Sequence, residues 1–354
     1  MQISRVEVIP VELNLRQTAR MAGTIEMDQI QSFFIRVETR QGQNAWGCCV
    51  VHPELIGETI PHVYQQLRTA ADMLPDLSPL NLEYTLAELS TKIGDSPAAM
   101  CAFDMALHDL LSLTAGLPLY RVLGGFRDRI RTSATIPLAN LEQSVDFAEQ
   151  RSKQGFRILK IKGGSDPEED VRRVHAIHTA LPNHILRLDA DGGYSIRESL
   201  DVSRALDGIL EMLEQPTPAG NLASLRQVTE QSPIPILADQ SLTGPGSALE
   251  LATHKAADGV IIKLVTCGGL RCAKQIDSIA RAANIVTMVG CFLEPALLIS
   301  AGLSLALSSP NVRYGDLDGF IDVIDDPSRA GFILDDGWLI ATDVPGLGYT
   351  VNLT

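Results

Sequence analysis

Three carboxylates end successive apolar stretches of the chain and could together hold a divalent metal ion. Asp189 closes the stretch ILRLD, Glu214 closes ILEMLE, and Asp239 follows IPILA. Carboxylate oxygens are the ligands that Mg²⁺ prefers in proteins, and three of them leave coordination positions for a substrate. We therefore predict a magnesium site at these residues. The alternative is three separate ion pairs.

Lysines end two further apolar stretches and could act as bases. Lys162 closes RILKIK, which also contains Lys160, and Lys263 closes GVIIK. A neutral lysine amine can remove a proton, and the like charge of Lys160 predicts a lowered pKa for Lys162. We interpret all three as catalytic residues. The alternative for Lys160 and Lys162 is a pair of surface lysines whose stems cover apolar side chains.

A regular repeat of apolar stretches provides the elements that position these residues. Eight such stretches recur at intervals of 24 to 27 residues, and the segments between them have a helical pattern. Eight strands alternating with helices predict a (β/α)8 barrel or a variant lacking one helix, with chemistry at the carboxyl ends of the strands. An open doubly wound sheet is the alternative. The stretches end at Ile136, Lys162, Asp189, Glu214, Asp239, Lys263, Gly290 and Asp316.

Strand parity predicts which side chains face the barrel axis. Alternate residues of a strand point to the same side, so Lys160 and Lys162 share one face while Leu159 and Ile161 share the other. Polar groups on the inner face are costly unless they are paired or bind a ligand. The inward set comprises Lys160, Lys162, Arg187, Asp189, Asp191, Met212, Glu214, Leu237, Asp239, Lys263, Asp316 and Asp318.

The first 125 residues have a different pattern and predict an α+β domain. Strands are expected at 3–9, 32–39 and 45–51, and helices at 57–72, 84–93 and 97–115. Residues 15–30 fit no period, which is typical of a binding loop or a disordered segment. We predict domains at 1–125 and 126–320, with residues 321–354 forming a hairpin-containing segment that returns to the first domain.

Composition limits the partners and the location. The chain has 354 residues, a net charge of −14 and no long Lys/Arg cluster, which argues against a nucleic-acid or membrane partner. No signal peptide is recognisable, and no apolar run approaches the ~20 residues of a membrane span. We therefore expect a cytoplasmic protein. The six cysteines lack zinc spacing, so reduced thiols are expected.

Several motifs together resemble one known family. They are Lys160-Ile-Lys162, Leu188-Asp-Ala-Asp191, Glu214-Gln-Pro216, Ala238-Asp-Gln-Ser241, Ile262-Lys-Leu264 with Cys267-Gly-Gly269, and Met288-Val-Gly-Cys291. Their order and spacing are similar to those of the muconate lactonizing enzyme subgroup of the enolase superfamily. The resemblance implies an N-terminal α+β capping domain over a (β/α)7β TIM-like barrel, with Mg²⁺ as the metal.

Two aspartates at the end of the eighth strand indicate which reaction of the family is implied. Asp316-Leu-Asp318 is similar to the Asp-x-Asp of dipeptide epimerases, in which the pair binds the substrate's α-ammonium group. The resemblance implies epimerisation at the C-terminal residue of a dipeptide through an enediolate, with Lys162 and Lys263 exchanging the roles of base and acid.

Several residues depart from the family pattern at positions expected to affect the acid–base properties of the site and the substrate specificity. Gln240 stands where Glu is usual and Asp191 where Asn is common, both expected beside the metal ligands. Epimerases acting on Ala-Glu carry an arginine in the first loop, where this chain has Met21, Ala22 or Gly23. Cation-selective relatives place an acid where this chain has Leu293 beside Glu294. We predict contacts of Met21, Leu293 and Glu294 with the substrate, and an apolar C-terminal residue.

Other functions remain open at this point. An N-acylamino-acid racemase or cycloisomerase of the same superfamily would use the same metal and lysines without needing Asp316 and Asp318 for an ammonium group. A Schiff-base aldolase would use Lys162 or Lys263 as nucleophile. A non-catalytic metal-binding barrel is the remaining class. A homo-oligomer is possible.

Overall fold

The structure of the protein is a computed structural model. It describes the backbone of residues 1–21 and 25–353, and the side chains of residues 1–20 and 26–353.

The chain begins with a three-stranded antiparallel sheet. Its strands are β1 (Ile3–Met21), β2 (Ile25–Thr39) and β3 (Asn44–Val51), in that order. Gly42 has a φ of 84° in the turn between β2 and β3. Residues 15–30 are not an irregular loop, because their described part continues β1 and β2, with a register shift between Asn14 and Ala19. This part of the ribbon lacks an apolar period because none of the side chains of residues 16–20 and 26–29 is buried.

Helices cover the sheet and complete the capping domain. Ser96 caps the longest helix by accepting a hydrogen bond from the Ala99 N–H at 3.3 Å, and Gly116 ends it with a φ of 67°. This helix has the length and mean hydropathy, 1.2, of a membrane span. Our expectation that no run approaches that length was therefore wrong, but 78% of its span is buried as core. The helices are α1 (Pro53–Ile56), α2 (Ile60–Met73), α3 (Leu82–Ile93), α4 (Pro97–Ala115) and α5 (Leu119–Val122).

A second sheet of eight parallel strands follows in sequence order. A bridge from Thr132 to Gly315 links its first and last strands, so the sheet is a nearly closed barrel. Within residues 317–353 no helix follows the last strand, and the predicted (β/α)7β barrel with a capping domain is confirmed. The strands are β5 (Ala134–Ile136), β6 (Ile158–Lys162), β7 (Ile185–Asp189), β8 (Leu210–Glu214), β9 (Ile236–Ala238), β10 (Gly259–Ile262), β11 (Val286–Gly290) and β12 (Val312–Asp316), preceded by the short β4 (Arg129–Arg131).

Helices surround the barrel and connect its strands. The predicted strand ends match at six positions, while β9 and β10 end one residue earlier, before Asp239 and Lys263. The helices are α6 (Leu141–Lys153), α7 (Pro167–Ala180), α8 (Ile196–Ala205), α9 (Leu222–Gln231), α10 (Pro245–His254), α11 (Leu264–Cys267), α12 (Leu270–Ala282) and α13 (Ala296–Ser308).

The barrel interior follows the predicted parity. Met212, Leu237, Ile261 and Met288 form a small buried cluster of their own. The guanidinium of Arg187 lies in the same interior, 5.2 Å from the ring centre of Tyr314, a cation–π contact. Apolar side chains therefore close the barrel beneath the polar strand ends.

The C-terminal segment contacts both domains. Asp109 of α4 accepts hydrogen bonds from the Leu347 N–H at 2.8 Å and the Tyr349 hydroxyl at 2.5 Å. The predicted hairpin is present, but its strand partner is β4 and not the capping domain. The strands here are β13 (Ser328–Arg329), β14 (Phe332–Asp335), β15 (Trp338–Ala341) and β16 (Thr350–Val351).

Candidate active site

The carboxyl ends of the barrel strands bring the predicted site residues together. Lys162, Asp189 and Glu214 are successive register partners on β6, β7 and β8. Asp239 and Lys263 are the first residues after β9 and β10. Because β6 and β10 are four strands apart in an eight-stranded barrel, Lys162 and Lys263 approach from opposite sides.

Each of these two lysines is bonded to a predicted metal ligand. The Nζ atom of Lys162 lies 2.7 Å from Oδ2 of Asp189 and 3.0 Å from Asp191. The Nζ atom of Lys263 lies 2.6 Å from Oδ2 of Asp239. Gln240 donates to Asp191 at 3.1 Å. Asp191 and Gln240 therefore lie beside the predicted ligands, as expected from the sequence.

Lys160 connects the ligands to the eighth strand. Its ammonium group donates a short hydrogen bond to Asp316 and lies 3.5 Å from Asp189 and 3.8 Å from Glu214. Ser133 donates to the other oxygen of Asp316 at 2.5 Å. Lys160 thus pairs with three carboxylates at once and is not a surface lysine, since only 3% of it is exposed.

Asp318 is held by the first barrel strand. Its carboxylate accepts hydrogen bonds from the Thr135 N–H at 2.6 Å and the Thr135 hydroxyl at 3.2 Å. Burial, followed by the charge of Asp316, raises the pKa of Asp318 above its usual value. An approaching cation would relieve that repulsion.

The carboxylates also determine the protonation of the lysines. Burial disfavours the ammonium form of Lys162, but the charges of Asp189 and Asp191 outweigh both burial and Lys160, so its pKa is raised. The pKa of Lys263 is raised in the same way by Asp239 and Glu214. The predicted lowering of the Lys162 pKa is therefore wrong for the protein alone, because two carboxylates lie closer than the like charge.

Glu214 supports a fit to a divalent cation. Both of its carboxylate oxygens are buried, and neither has a hydrogen-bond partner among the described residues. Burial and the charge of Asp189 raise the Glu214 pKa well above its usual value. Orphaned buried oxygens of this kind are costly, and hard oxygen donors are suited to Mg²⁺.

The carboxylates do not yet converge on one point. Within residues 1–21 and 25–353 no group of three or more His, Cys, Asp or Glu side chains is already arranged to hold a metal ion. The reason is visible in the ion pairs, since Asp189 faces Lys162 and Asp239 faces Lys263. Carboxylate oxygens are suitable ligands for Mg²⁺, but in this structure the side chains of Asp189 and Asp239 point toward the lysines with which they pair.

A cavity of about 570 Å³ lies between these residues and the capping domain. Its polar floor includes the three lysines, Asp239, Asp316 and Asp318. Its apolar wall comes from β1, from the segment at the end of β3, and from loops after the strands. The wall residues are Leu15, Leu55, Ile56, Leu242 and Leu293.

The residues predicted to contact the substrate differ in their position relative to the cavity. Leu293 lines the cavity, but Glu294 does not. Glu294 is 5% exposed and accepts a hydrogen bond from the Phe292 N–H at 3.3 Å, and burial raises its pKa to about 8. The side chain of Met21 lies outside the described residues, as do Ala22 and Gly23.

Four positioning residues were not predicted from the sequence. Gln215 accepts hydrogen bonds from the Asp239 N–H at 2.9 Å and the Ser241 N–H at 3.1 Å, which orients the loop after β9. Ser133 and Thr135 hold Asp316, the last residue of β12, and Asp318 just after it, more than 180 residues away in sequence. Phe292 places its ring 4.6 Å from Nζ of Lys263. Only Gln215, inside the Glu-Gln-Pro motif, carried a local signal.

Comparison with known proteins places the chain in a family. Residues 143–354 match the enolase C-terminal domain-like family, and residues 4–124 match the N-terminal domain family of mandelate racemase and muconate lactonizing enzyme. An L-Lys-D/L-Arg epimerase of Methylococcus capsulatus is 36% identical, over 98% of this chain and 99% of that protein. A hydrophobic dipeptide epimerase of Enterococcus faecalis is 33% identical, over 95% of each.

Solved structures give the same grouping. The dipeptide epimerase of Enterococcus faecalis, complexed with Mg and the dipeptide L-Leu-L-Tyr, superposes with a TM-score of 0.96. It is 31% identical, and the match covers 99% of this chain and 100% of that one. These relatives are isomerases, so the prediction of an isomerase is confirmed. The chain belongs to the enolase superfamily, in its mandelate racemase and muconate lactonizing enzyme group.

Proposed function

We propose that the protein is a Mg²⁺-dependent dipeptide epimerase that inverts the α-carbon of the C-terminal residue by a two-base 1,1-proton transfer. The observation that carries the proposal is the opposed pair of lysines, Lys162 and Lys263, which reach one cavity from strands four positions apart. A substrate between them presents one face of its α-carbon to each amine. One lysine removes the proton and the other returns it.

The proton transfer requires help at the carboxylate of the substrate. When the α-C–H bond breaks, its electron pair moves toward the carboxyl group, and an enediolate with additional negative charge forms. Asp189, Glu214 and Asp239 would hold a divalent cation, which would supply the opposing charge. Lys160 lies within 3.8 Å of two of these acids and adds a fixed positive charge.

The charges of the site suit a substrate with a free amino group. Six carboxylates (Asp189, Asp191, Glu214, Asp239, Asp316 and Asp318) face three lysines. With every group ionised the site carries three more negative than positive charges, which favours binding of a divalent cation and of a substrate with an ammonium group. Asp318 is the candidate anchor for the α-ammonium group because Lys160 and Ser133 already engage Asp316. An N-acylated substrate would leave Asp318 without a cation, which favours a dipeptide.

The cavity wall supports a preference for an apolar C-terminal side chain. Relatives act on chemically different dipeptides, since one is an L-Lys-D/L-Arg epimerase and another a hydrophobic dipeptide epimerase at similar identity. Overall identity therefore does not choose between them. The wall of Leu55, Ile56 and Leu293 supports the apolar preference, because the position of Leu293 offers no acid to a cationic side chain.

A dipeptide library in D₂O tests the proposal. With Mg²⁺ present, dipeptides with C-terminal Leu, Tyr or Val should incorporate deuterium at the C-terminal α-carbon and epimerise, as followed by NMR and chiral chromatography. EDTA should abolish both, and Lys162→Ala or Lys263→Ala should stop epimerisation. Lys153→Ala, which changes an exposed lysine of α6, is the matched control.

Three outcomes would reject parts of the proposal. Fastest exchange with acidic or cationic C-terminal residues would reject the apolar preference. Faster turnover of N-succinylated amino acids would favour the racemase alternative. Borohydride trapping of a lysine with EDTA present would favour a Schiff-base enzyme.

A further inference from the structure

The two opposed lysines have different surroundings. The Nζ atom of Lys263 lies between Oδ2 of Asp239, at 2.6 Å, and the ring of Phe292, at 4.6 Å from its centre. Among the described residues an aromatic contact of this kind is found for Lys263 but not for Lys162, which is bonded to Asp189 and Asp191. A cation is attracted to the face of an aromatic ring, most strongly where water is excluded. Lys263 is 6% exposed.

The loop that carries Phe292 is braced on both sides. His52, at the end of β3, places its Nε2 atom 3.2 Å from the carbonyl oxygen of Leu293. From the barrel, the Gly319 N–H donates to Sγ of Cys291 at 3.3 Å, and a Cβ atom on Gly319 would meet the Phe292 carbonyl oxygen at 1.8 Å. The backbone around Phe292 therefore has little freedom to move the ring away from Lys263.

The stem of Lys263 is also confined. A Cβ atom at Gly290, the last residue of β11, would lie 3.4 Å from Cε of Lys263 and 2.8 Å from Cγ2 of Ile261. The absence of a side chain at Gly290 leaves just enough room for the lysine to pass. Three elements thus direct one amine: β11 along its stem, Asp239 on one side of Nζ, and Phe292 on another.

We propose that Phe292 is a positioning residue for the base on the sixth strand, holding Lys263 at the α-carbon while Lys162 is positioned by carboxylates alone. The inference rests on the proposed two-base epimerisation. Its consequence is an asymmetry: loss of the Phe292 ring should impair proton transfer on the face served by Lys263 and leave the Lys162 face intact.

Hydrogen exchange separates the two faces. A lysine that removes the α-proton of one epimer exchanges its own protons with D₂O and can return a deuteron to the same face. Lys263→Ala should therefore abolish exchange of one epimer and Lys162→Ala exchange of the other. These two variants identify which epimer each lysine serves.

The experiment measures α-deuteration of both epimers of one dipeptide by NMR in the Mg²⁺-loaded protein. Phe292→Leu should slow exchange of the Lys263-dependent epimer by about 10- to 30-fold and change the other by less than about 3-fold. Phe292→Tyr, which keeps the ring, should restore the wild-type ratio. Phe320→Leu is the matched control, because Phe320 packs against Phe332 at 5.2 Å in the neighbouring loop.

Phe292→Met replaces the ring with an unbranched, adaptable side chain and gives a second test if Phe292→Leu does not fold, which circular dichroism would show. An equal loss for both epimers in a folded Phe292 variant, or no loss, would overturn the inference while leaving the epimerase proposal intact. Absence of exchange by the wild-type protein with any dipeptide would overturn both.

Discussion

Replacing Glu214 with methionine should make the protein more stable without metal and unresponsive to Mg²⁺. Both oxygens of Glu214 are buried without a hydrogen-bond partner among the described residues. A buried unsatisfied polar group costs about 1–3 kcal/mol, whereas an apolar group of the same shape avoids that cost. The nearest cation, Lys160 at 3.8 Å, keeps Asp316 and Asp189 as partners when Glu214 is removed.

The magnitude can be expressed as a shift in melting temperature. For a chain of 354 residues, about 1–3 kcal/mol corresponds to about 1–4 °C, because the unfolding entropy scales with length. Wild-type protein in Mg²⁺ at about 100 times its Kd should gain about 2.7 kcal/mol, or about 3–4 °C. Glu214→Met should begin from the higher metal-free value and gain less than about 1 °C from Mg²⁺.

Differential scanning calorimetry with EDTA and over a Mg²⁺ titration measures both effects without reference to activity. Glu250→Gln, an exposed position on α10, is the control and should match the wild type. The reasoning is refuted if metal-free Glu214→Met melts below the wild type and the wild type gains nothing from Mg²⁺. A stable variant that still gains the full Mg²⁺ shift would place the ion elsewhere.

Asp318→Asn should raise KM for a dipeptide by about 10- to 100-fold, because a charge-assisted bond of about 1.5–3 kcal/mol is lost. Turnover of the N-acetylated dipeptide should change by less than about 3-fold, and equal losses for the two substrates would contradict the assignment of Asp318 to the ammonium group. Leu293→Asp should shift kcat/KM toward C-terminal Lys or Arg by about 10-fold, with Leu249→Asp on the exposed face of α10 as control. Burial raises the pKa of Asp109 from 3.8 to about 6, so its stabilising contribution is complete below pH 3.8 and is lost as pH rises through 6. Relative to Asp109→Asn, urea unfolding of the wild type should therefore lose on the order of 3 kcal/mol between pH 4 and 7, and parallel curves would contradict this.

The sequence was most informative where structure repeats. The spacing of the apolar stretches predicted the barrel, and parity alone placed Lys160, Asp189 and Glu214 inside it, since both depend on geometry shared by every strand. The unpatterned residues 15–30 were misjudged because an extended ribbon outside a core needs no apolar alternation. Apolar periodicity in a sequence therefore indicates which side chains are buried, and it does not detect a strand whose side chains are mostly exposed.

Contacts between distant segments were not predictable in the same way. Thr135 bonds Asp318 across 183 residues, and neither residue type nor spacing signals that partnership. The pKa of Lys162 was predicted with the wrong sign because Lys160 is its neighbour in sequence, whereas Asp189 and Asp191 are its closer neighbours in space. Glu294 was assigned to the cavity because parity cannot be read in a loop after the strand.

Lys162 and Lys263 occupy equivalent positions in the barrel but have different neighbouring residues. Barrel geometry places Lys162 and Lys263 equivalently, so a sequence repeat suffices to predict that both face the substrate. The partners of Lys162 belong to the barrel itself. Lys263 also contacts Phe292, whose loop is braced by His52 of the capping domain. Changes at the boundary between the domains should therefore affect one proton transfer and not the other, even though both occur in the same cavity.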